Sequence, residues 1–294
     1  MRGRSGSISA IVMLAAIACG PPARRGGGDD DDGSGGADAS DIGGNDGANS
    51  NCGSGAEFVY TIDQLTNQLS RFEPQTKTFT DLGALSCNQG GATPFSMSVD
   101  RNTVAWVLYD SGTLYRVDIN NSLACTKTTW ASPMGLTVFG MGFSTDVPGG
   151  STDSLFVGGG ASQGLSSYSL ATVDTTTMTA QIVGTEPDLP EMTGNSNAEL
   201  WGFIPEAATA RVVQFDKTNG SILTSFTEPT LAGSSNGYAF AHWGGDYWVF
   251  LSTEAMTTVY QVDHSTGAIT STTPAPGRTV VGAGVSTCAP IVIQ

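Results

Sequence analysis

Five copies of one short pattern constrain the fold of this 294-residue chain more than any other feature. Each copy has an apolar residue, two variable residues, a second apolar residue, an acidic residue and then a polar, turn-like stretch. The copies span residues 69–77, 114–122, 170–178, 212–220 and 259–267. Their acidic residues follow one another at intervals of 45, 56, 42 and 47 residues. A period of this size that contains several short strands predicts a repeat architecture.

The sequence around each copy predicts three further strands. An apolar strand precedes the copy and a Thr/Ser-rich strand follows it. A fourth strand comes before the apolar one and alternates small with larger residues, as in 95–99, 139–143, 238–242 and 281–285. Alternate residues of a strand share a face, so the small side chains suit the crowded centre of a ring. We therefore predict an all-β fold, a β-propeller of five four-stranded blades over residues 57–294, in which the unit near Met192 matches the pattern least.

The two ends of the predicted ring are incomplete in complementary ways. The first copy has no small-residue strand before it, and the last such strand, 280–286, has no blade after it. Pairing 280–286 with the apolar strand 58–62 completes the first blade. It also closes the ring and removes exposed sheet edges.

Four cysteines in the predicted domain and its approach form an even set that can pair in three ways. They are Cys52, Cys87, Cys125 and Cys288. Ring closure places the end of the last strand beside the start of the first, which predicts a disulfide between Cys52 and Cys288. Cys87 and Cys125 then pair by elimination, although a simple blade arrangement puts them near opposite faces of the ring.

The N-terminal segment predicts export. Arg2 and Arg4 precede an apolar run over residues 8–18, and small residues follow at its end. This run has 11 residues, whereas a membrane-spanning helix needs about 20. We assign residues 1–18 to a signal peptide.

The stretch Ala16-Ile17-Ala18-Cys19-Gly20 resembles the lipobox of bacterial lipoproteins. The resemblance implies that Cys19 becomes a lipidated N-terminus, with a diacylglycerol thioether and an N-acyl chain such as palmitate. Ala16 stands where the family usually has Leu, and ordinary secretion without a lipid on Cys19 is the alternative. Gly20 stands where an Asp favours inner-membrane retention, so the resemblance implies the outer membrane or the cell surface.

Residues 19–56 predict a flexible acidic tether, because Gly, Asp and Ser dominate and apolar side chains are almost missing. Asp38, Asp41 and Asp46 lack the alternating spacing of a calcium-binding loop. We predict no cofactor and keep calcium as a weak possibility. The formal net charge of -15 argues against nucleic acid as a partner. Solubility explains the acidity, and a cation or a basic partner is the alternative.

One face of the predicted ring carries an excess of acids. If the strands run alternately up and down, its loops hold Asp63, Asp110, Glu186, Asp188, Glu191, Glu206, Glu228 and Glu254, with Arg278 as a single base. We take this face as the candidate recognition surface, with solubility alone as the alternative.

Few residues are candidates for chemistry. His242 lies on an innermost strand and is the candidate axial residue, although a lone His is more often a packed side chain than a base. The acidic residues of the repeats fit the capping of tight turns. A group of late aromatic residues favours packing between blades over stacking on a sugar. This group is Trp201, Tyr238, Trp243, Tyr247 and Trp248.

Together with the lipobox-like segment, residues 57–294 resemble bacterial β-propeller surface lipoproteins, a group defined by architecture rather than by activity. We predict a monomeric, lipid-anchored binding or scaffolding module without enzymatic activity, displayed on the outer membrane or cell surface. Its predicted partners are the membrane and a protein or glycan. The alternative is a metal-dependent hydrolase or lyase with its site in the axial channel, which needs several carboxylate or His ligands on the innermost strands.

Overall fold

A computed structural model describes residues 51–294, except 88–89, 187, 206–207, 234, 255 and 294. This part of the chain is all-β. Five antiparallel four-stranded sheets form a ring, a five-bladed β-propeller, as the repeat spacing predicts. Helical structure in the described part is limited to two short 3₁₀ turns, at Pro133–Gly135 and Pro229–Leu231. None of the helices found there is long and apolar enough to cross a membrane.

The twenty strands follow the chain blade by blade, and in blades 2 to 5 they run from the innermost strand outwards. Blade 1 opens with β1 (Val59–Asp63), β2 (Gln68–Glu73) and β3 (Thr78–Ala84). Blade 2 contains β4 (Pro94–Val99), β5 (Val104–Tyr109), β6 (Leu114–Asp118) and β7 (Ala124–Lys127). Blade 3 contains β8 (Val138–Thr145), β9 (Asp153–Gly160), β10 (Tyr168–Asp174) and β11 (Thr179–Glu186). Blade 4 contains β12 (Glu191–Gly194), β13 (Leu200–Ile204), β14 (Ala210–Phe215) and β15 (Ile222–Glu228). Blade 5 contains β16 (Gly237–Trp243), β17 (Asp246–Thr253), β18 (Met256–Asp263) and β19 (Ile269–Pro276), and β20 (Val280–Gly284) follows it.

The last strand completes the first blade. β20 pairs antiparallel with β1, with Ile62 opposite Gly282 and Tyr60 opposite Gly284. The blade order is therefore β20-β1-β2-β3, and the predicted ring closure is confirmed.

Both predicted disulfides are present. Cys52 is bonded to Cys288 next to the closing strands, and the two Cα atoms are 6.1 Å apart. Cys87 is bonded to Cys125 with a Cα–Cα distance of 5.2 Å. The second bridge links the connection after β3 to the outermost strand of blade 2, so Cys87 and Cys125 do not lie near opposite faces as the simple blade arrangement suggested.

Small residues allow the innermost strands to approach one another closely. A Cβ atom on Gly142 of β8 would lie 2.9 Å from the Cα atom of Thr193 on β12, and one on Gly282 of β20 would lie 2.7 Å from the backbone nitrogen of Met97 on β4. Real Cβ atoms are not found at such distances from backbone, so glycine is required at these contacts.

The blades pack against one another through large apolar side chains. Trp201 of blade 4 lies 4.8 Å from Tyr247 of blade 5, measured between ring centroids. Phe72 of blade 1 contacts Phe250 of blade 5 edge-on at 5.1 Å. Trp243 and Trp248 belong to the same apolar cluster as Phe250. Packing between blades therefore accounts for these aromatic residues, as predicted, and Tyr238 is the member of the group that also reaches an open cavity.

The aspartates of the repeats cap turns. Asp174, Asp216 and Asp263 each accept hydrogen bonds from backbone N–H groups two or three residues further on. These bonds stabilise the carboxylate form. Hydrogen bonds from the hydroxyl groups of Ser265 and Thr266, supported by the backbone, lower the pKa of Asp263 to about 2.

Candidate functional site

The five innermost strands begin on one side of the ring, which we call the mouth. A cavity of about 120 Å³ opens there, and every blade contributes to its wall. Its lining consists of Gln64, Phe95, Gln163, Glu191, Ser235, Asn236, Gly237, Tyr238 and Val281. Because all five blades come together only around the axis, a space lined by all five lies on that axis. This cavity is the candidate site, and we call it the mouth cavity.

Glu191 is the acidic residue of the mouth cavity. It is the first residue of β12 and only 3 % exposed. Ser96 of β4 lies two blades away and donates a hydrogen bond from Oγ to Glu191 Oε2 at 3.0 Å. This bond crosses the centre of the ring, because β4 and β12 are separated by β8 on one side and by β16 and β20 on the other.

Burial sets the protonation of Glu191. Removal from water raises its pKa well above the ordinary value, and the hydrogen bond from Ser96 opposes that rise only in part. The mouth cavity therefore contains a carboxyl group that favours its neutral form at a pH where an exposed glutamate is ionised.

Glu191 occupies a position that carries a small residue in the sister strands. It directly precedes buried Met192, as Ser96 precedes buried Met97 and Gly140 precedes buried Met141. The alternation of the strand places the residue before each methionine on the face opposite to that methionine. Glu191 thus brings a carboxyl group to a face where the sister strands carry Ser or Gly.

A second, wider cavity of about 420 Å³ adjoins the mouth cavity. The two share Gln163, Ser235 and Tyr238 in their walls. The hydroxyl of Tyr238 donates to the carbonyl oxygen of Leu189 at 3.2 Å, which fixes the ring between the two cavities. Asp188 also lines the wider cavity and forms an ion pair with Arg211 at 2.7 Å.

The eight acids of the candidate recognition surface occupy different environments. Asp63, Glu186, Glu191 and Glu228 are buried, so they do not form part of an exposed acidic surface. Asp110 and Glu254 are exposed and Asp188 is half-buried. Glu206 lies outside the described residues.

The single base of that surface turns to the side of blade 1. Arg278 binds Asp81 at 2.7 Å and stacks over the ring of Phe79, with 4.6 Å from the guanidinium carbon to the ring centroid. This pairing, with the burial of four acids, replaces the strongly negative surface that the sequence suggested with a few exposed acids around the mouth.

Asp63 is buried because it joins two loops of the closing blade. Its Oδ1 accepts hydrogen bonds from the backbone N–H groups of Leu65 and Thr66 at 3.0 and 2.9 Å. Its Oδ2 accepts from the backbone N–H of Thr279, just before β20. Asp63 therefore holds the C-terminal strand on the first blade.

Glu186 and Glu228 end the outermost strands of blades 3 and 4. Both oxygens of Glu186 and Oε1 of Glu228 are buried without a hydrogen-bond partner. Burial, with a further contribution from the charge of Asp188, raises the pKa of Glu186 to about 8. Burial alone raises the pKa of Glu228 to about 7. Neither residue lines the mouth cavity or the wider cavity.

His242 lies one residue before the end of β16, away from the mouth. It is 5 % exposed, and burial lowers its pKa to about 4. Its backbone N–H donates to the hydroxyl of Thr193 at 3.2 Å. His242 and Glu191 therefore stand at opposite ends of their strands. Among the described residues, no three or more His, Cys, Asp or Glu side chains are grouped to hold a metal ion.

Sequence reasoning missed the neutral residues of the site. Gln64, Gln163 and Asn236 lie in loops whose composition is ordinary for turns, and nothing in the sequence distinguishes them. Tyr238 was grouped with packing residues. The recurring pair of a small residue and Met could have identified Glu191, since only there does a large acidic residue replace Ser or Gly.

Comparisons with known proteins add no function. Neither protein-family profiles nor curated proteins match the sequence. Similar solved structures include a protein of unknown function from Bacteroides caccae, a protein from Lactobacillus plantarum and the Cps50 (Swd1) β-propeller domain from Myceliophteria thermophila. Their sequence identities are 13, 13 and 11 %, with TM-scores of 0.39, 0.42 and 0.42. The alignments cover 74, 78 and 81 % of this chain and 72, 71 and 89 % of theirs. Such likeness concerns the fold alone.

Cys19 and the acidic residues of the tether lie outside the described residues. The lipid anchor and the weak calcium possibility therefore stay predictions from the sequence.

Proposed function

We propose that this protein is a lipid-anchored β-propeller on the outer membrane or cell surface, acting as a non-enzymatic binding or scaffolding module that recognises its partner at the mouth. The observation that carries the proposal is the pair of adjoining cavities there, because all five blades converge on the smaller one. Concave sites with a few convergent polar groups are the usual form of ligand sites in proteins. A protein or a glycan is the candidate partner.

The anchor rests on the lipobox-like Cys19 and on the acidic tether over residues 19–56. Lipid chains on Cys19 would hold the domain at the membrane, since each buried methylene contributes about 0.8 kcal/mol. The two disulfides support an oxidising compartment outside the cytoplasm.

The anchor is tested by Cys19→Ser in the full chain. We expect the unaltered protein in the membrane fraction after a high-salt wash and the variant in the soluble fraction. A Cys19→Ser protein that stays firmly in the membrane fraction would refute the lipid anchor, while leaving the recognition site open to its own test.

Recognition is tested by capturing glycans and proteins with the full chain that carries Cys19→Ser, with and without calcium. Gln163 is exposed and belongs to both cavities, so Gln163→Trp should obstruct them and abolish capture. Gln181→Trp places the same bulk on the exposed outer strand of blade 3 and is the matched control. Equal capture by the two variants would show that the mouth is not the recognition surface.

A further inference from the structure

We propose that the mouth cavity binds a primary ammonium group on a short alkyl chain, with Glu191 as its counter-ion. This inference rests on the proposed function, because it assigns a ligand chemistry to the same mouth. It is carried by the acceptor groups, the aromatic walls, the size of the cavity and the lack of a basic residue among its described lining.

The polar groups of the cavity match an ammonium ion. Glu191 lines the cavity, and Ser96 donates to one of its two carboxyl oxygens at 3.0 Å. Gln64 and Gln163 add amide groups to the lining. The amide nitrogen of Asn236 donates a hydrogen bond to the carbonyl oxygen of Glu254 at 3.1 Å. The side-chain oxygen of Asn236 is a further hydrogen-bond acceptor. An ammonium group has three donors and no acceptor, so it complements such a set.

Two aromatic residues favour a cation further. Phe95 and Tyr238 line the cavity, and the negative face of an aromatic ring attracts an ammonium group within about 6 Å. None of the residues described as lining the mouth cavity or the wider cavity is Lys, Arg or His. A cation entering the mouth therefore meets no like charge from these walls.

The size of the cavity favours a linear group over a ring. A cavity of roughly 150 Å³ is enough for benzene, and a water molecule takes about 30 Å³ of liquid. The mouth cavity has about 120 Å³. It can therefore hold an ammonium group with a few methylenes, whereas a sugar ring would extend into the wider cavity beside it.

The surrounding charges determine how binding depends on pH. Tyr238 interacts electrostatically with Glu191 and with Tyr168, and Arg211 forms an ion pair with Asp188 in the wall of the adjoining cavity. Burial raises the pKa of Glu191 and so favours its protonated form, and an ammonium group that binds to the protonated residue must displace that proton. A primary amine keeps its own charge up to a pH of about 10. Affinity should therefore rise as the pH rises, until Glu191 ionises without the ligand.

The test uses n-butylammonium and 1-butanol, two probes of similar shape that differ in charge, with the full chain carrying Cys19→Ser. We expect calorimetric titration to show butylammonium binding at least about ten times more tightly than butanol at constant ionic strength. Below the pKa of Glu191, affinity should rise about tenfold per pH unit. Titration in two buffers of different ionisation enthalpy should show one proton released per ligand bound.

The matched variant is Glu191→Gln, which keeps the shape of the protonated side chain. It should lose at least about tenfold in butylammonium affinity and the pH dependence, with butanol binding unchanged. If Glu191→Gln fails to fold, the two-buffer titration of the protein with Glu191 intact still tests the proposal, because it measures proton release on amine binding. No preference for the amine, or amine binding without proton release, would overturn the proposal.

Two further probes distinguish the source of the ammonium group. Nα-acetyl-lysine amide presents it on a four-carbon chain, and glucosamine presents it directly on a ring. We expect the lysine derivative to bind more tightly, and tighter glucosamine binding would contradict the size requirement. If no amine binds but Gln163→Trp still abolishes partner capture, the ammonium site is refuted and the mouth remains the recognition surface. Unchanged capture by that variant would refute the mouth as the recognition surface.

Discussion

At the scale of single residues, the main feature is a set of buried carboxyl groups around one end of the ring. The spacing of the repeats was sufficient to predict that the repeat acids cap turns, because capping depends on neighbours within three residues. The spacing was not sufficient to predict that Glu186, Glu191 and Glu228 are buried. Their burial depends on contacts between blades, which are distant in the sequence and not specified by local patterns.

Glu186 should make stability fall as the pH rises. Its pKa is about 8 in the folded protein, against an ordinary value of 4.5 that we take for the unfolded chain. Between these values the folded protein holds a proton that the unfolded chain has lost, so the free energy of unfolding decreases with pH at up to about 1.4 kcal/mol per unit. Glu186→Gln removes this ionisation. Urea unfolding at about pH 5 and about pH 8 should show a smaller loss of stability for Glu186→Gln than for the unaltered protein.

The control for that comparison is Glu254→Gln, at an exposed position of the same face. It should leave the pH dependence unchanged. Parallel pH profiles for Glu186→Gln and the unaltered protein would show that Glu186 is ionised in the folded state across this range.

Asp63 should contribute more to stability than the exposed acid next to the mouth. Asp63→Ala leaves the backbone N–H group of Thr66 and the buried one of Thr279 without their acceptor and should cost at least about 2 kcal/mol. Asp110 is exposed and binds only Thr93, so Asp110→Ala should cost less than about 1 kcal/mol. Chemical denaturation of both variants measures the difference, and equal losses would contradict the role of Asp63 in closing the first blade.

At the scale of elements, the innermost strands determine how tightly the ring can close. Their alternation of small and larger residues was readable in four of the five strands, and their positions agree with the structure within one or two residues. The fifth, β12, was hard to recognise because it has only four residues and carries Glu191 where sister strands carry a small residue. The residue that weakens the strand pattern is therefore the one that gives the mouth cavity its acidic group.

Gly142→Ala tests this close approach. The added methyl group would lie 2.9 Å from Thr193, so β8 and β12 would have to separate, and overpacking of this kind costs about 1–3 kcal/mol. Ser225→Ala, on the exposed outermost strand of blade 4, should change stability by less than about 0.5 kcal/mol. Thermal unfolding of the two variants provides the measurement. A Gly142→Ala protein as stable as the control would mean that the innermost strands are not in close contact.

At the scale of the whole molecule, closure of the ring connects the fold to the site. Val281 of β20 forms part of the mouth cavity, and Gln64 lies in the loop that binds the segment before β20. If the C-terminal strand did not pair with β1, this wall of the cavity would not exist. Closure could be predicted from the sequence because the first and last repeats each lack a complementary strand, whereas the lining of the cavity could not.

The two disulfides should stabilise the closed ring unequally. In the chain-entropy description, a bridge contributes more when it joins residues further apart in the sequence. The separations are 236 residues for Cys52–Cys288 and 38 for Cys87–Cys125. Replacing both cysteines of the first bridge by Ser should therefore destabilise the protein by about 1.6 kcal/mol more than the same change in the second. Urea unfolding of the two double variants tests this order, and the reverse order would contradict it.

Disulfide mapping tests ring closure most directly. The purified protein is digested without reduction, and the linked peptides are identified by mass spectrometry. Ring closure predicts one linked pair containing Cys52 and Cys288 and a second containing Cys87 and Cys125. Linkage of Cys52 to Cys87 or to Cys125 would contradict the pairing of the C-terminal strand with the first blade, and with it the mouth cavity.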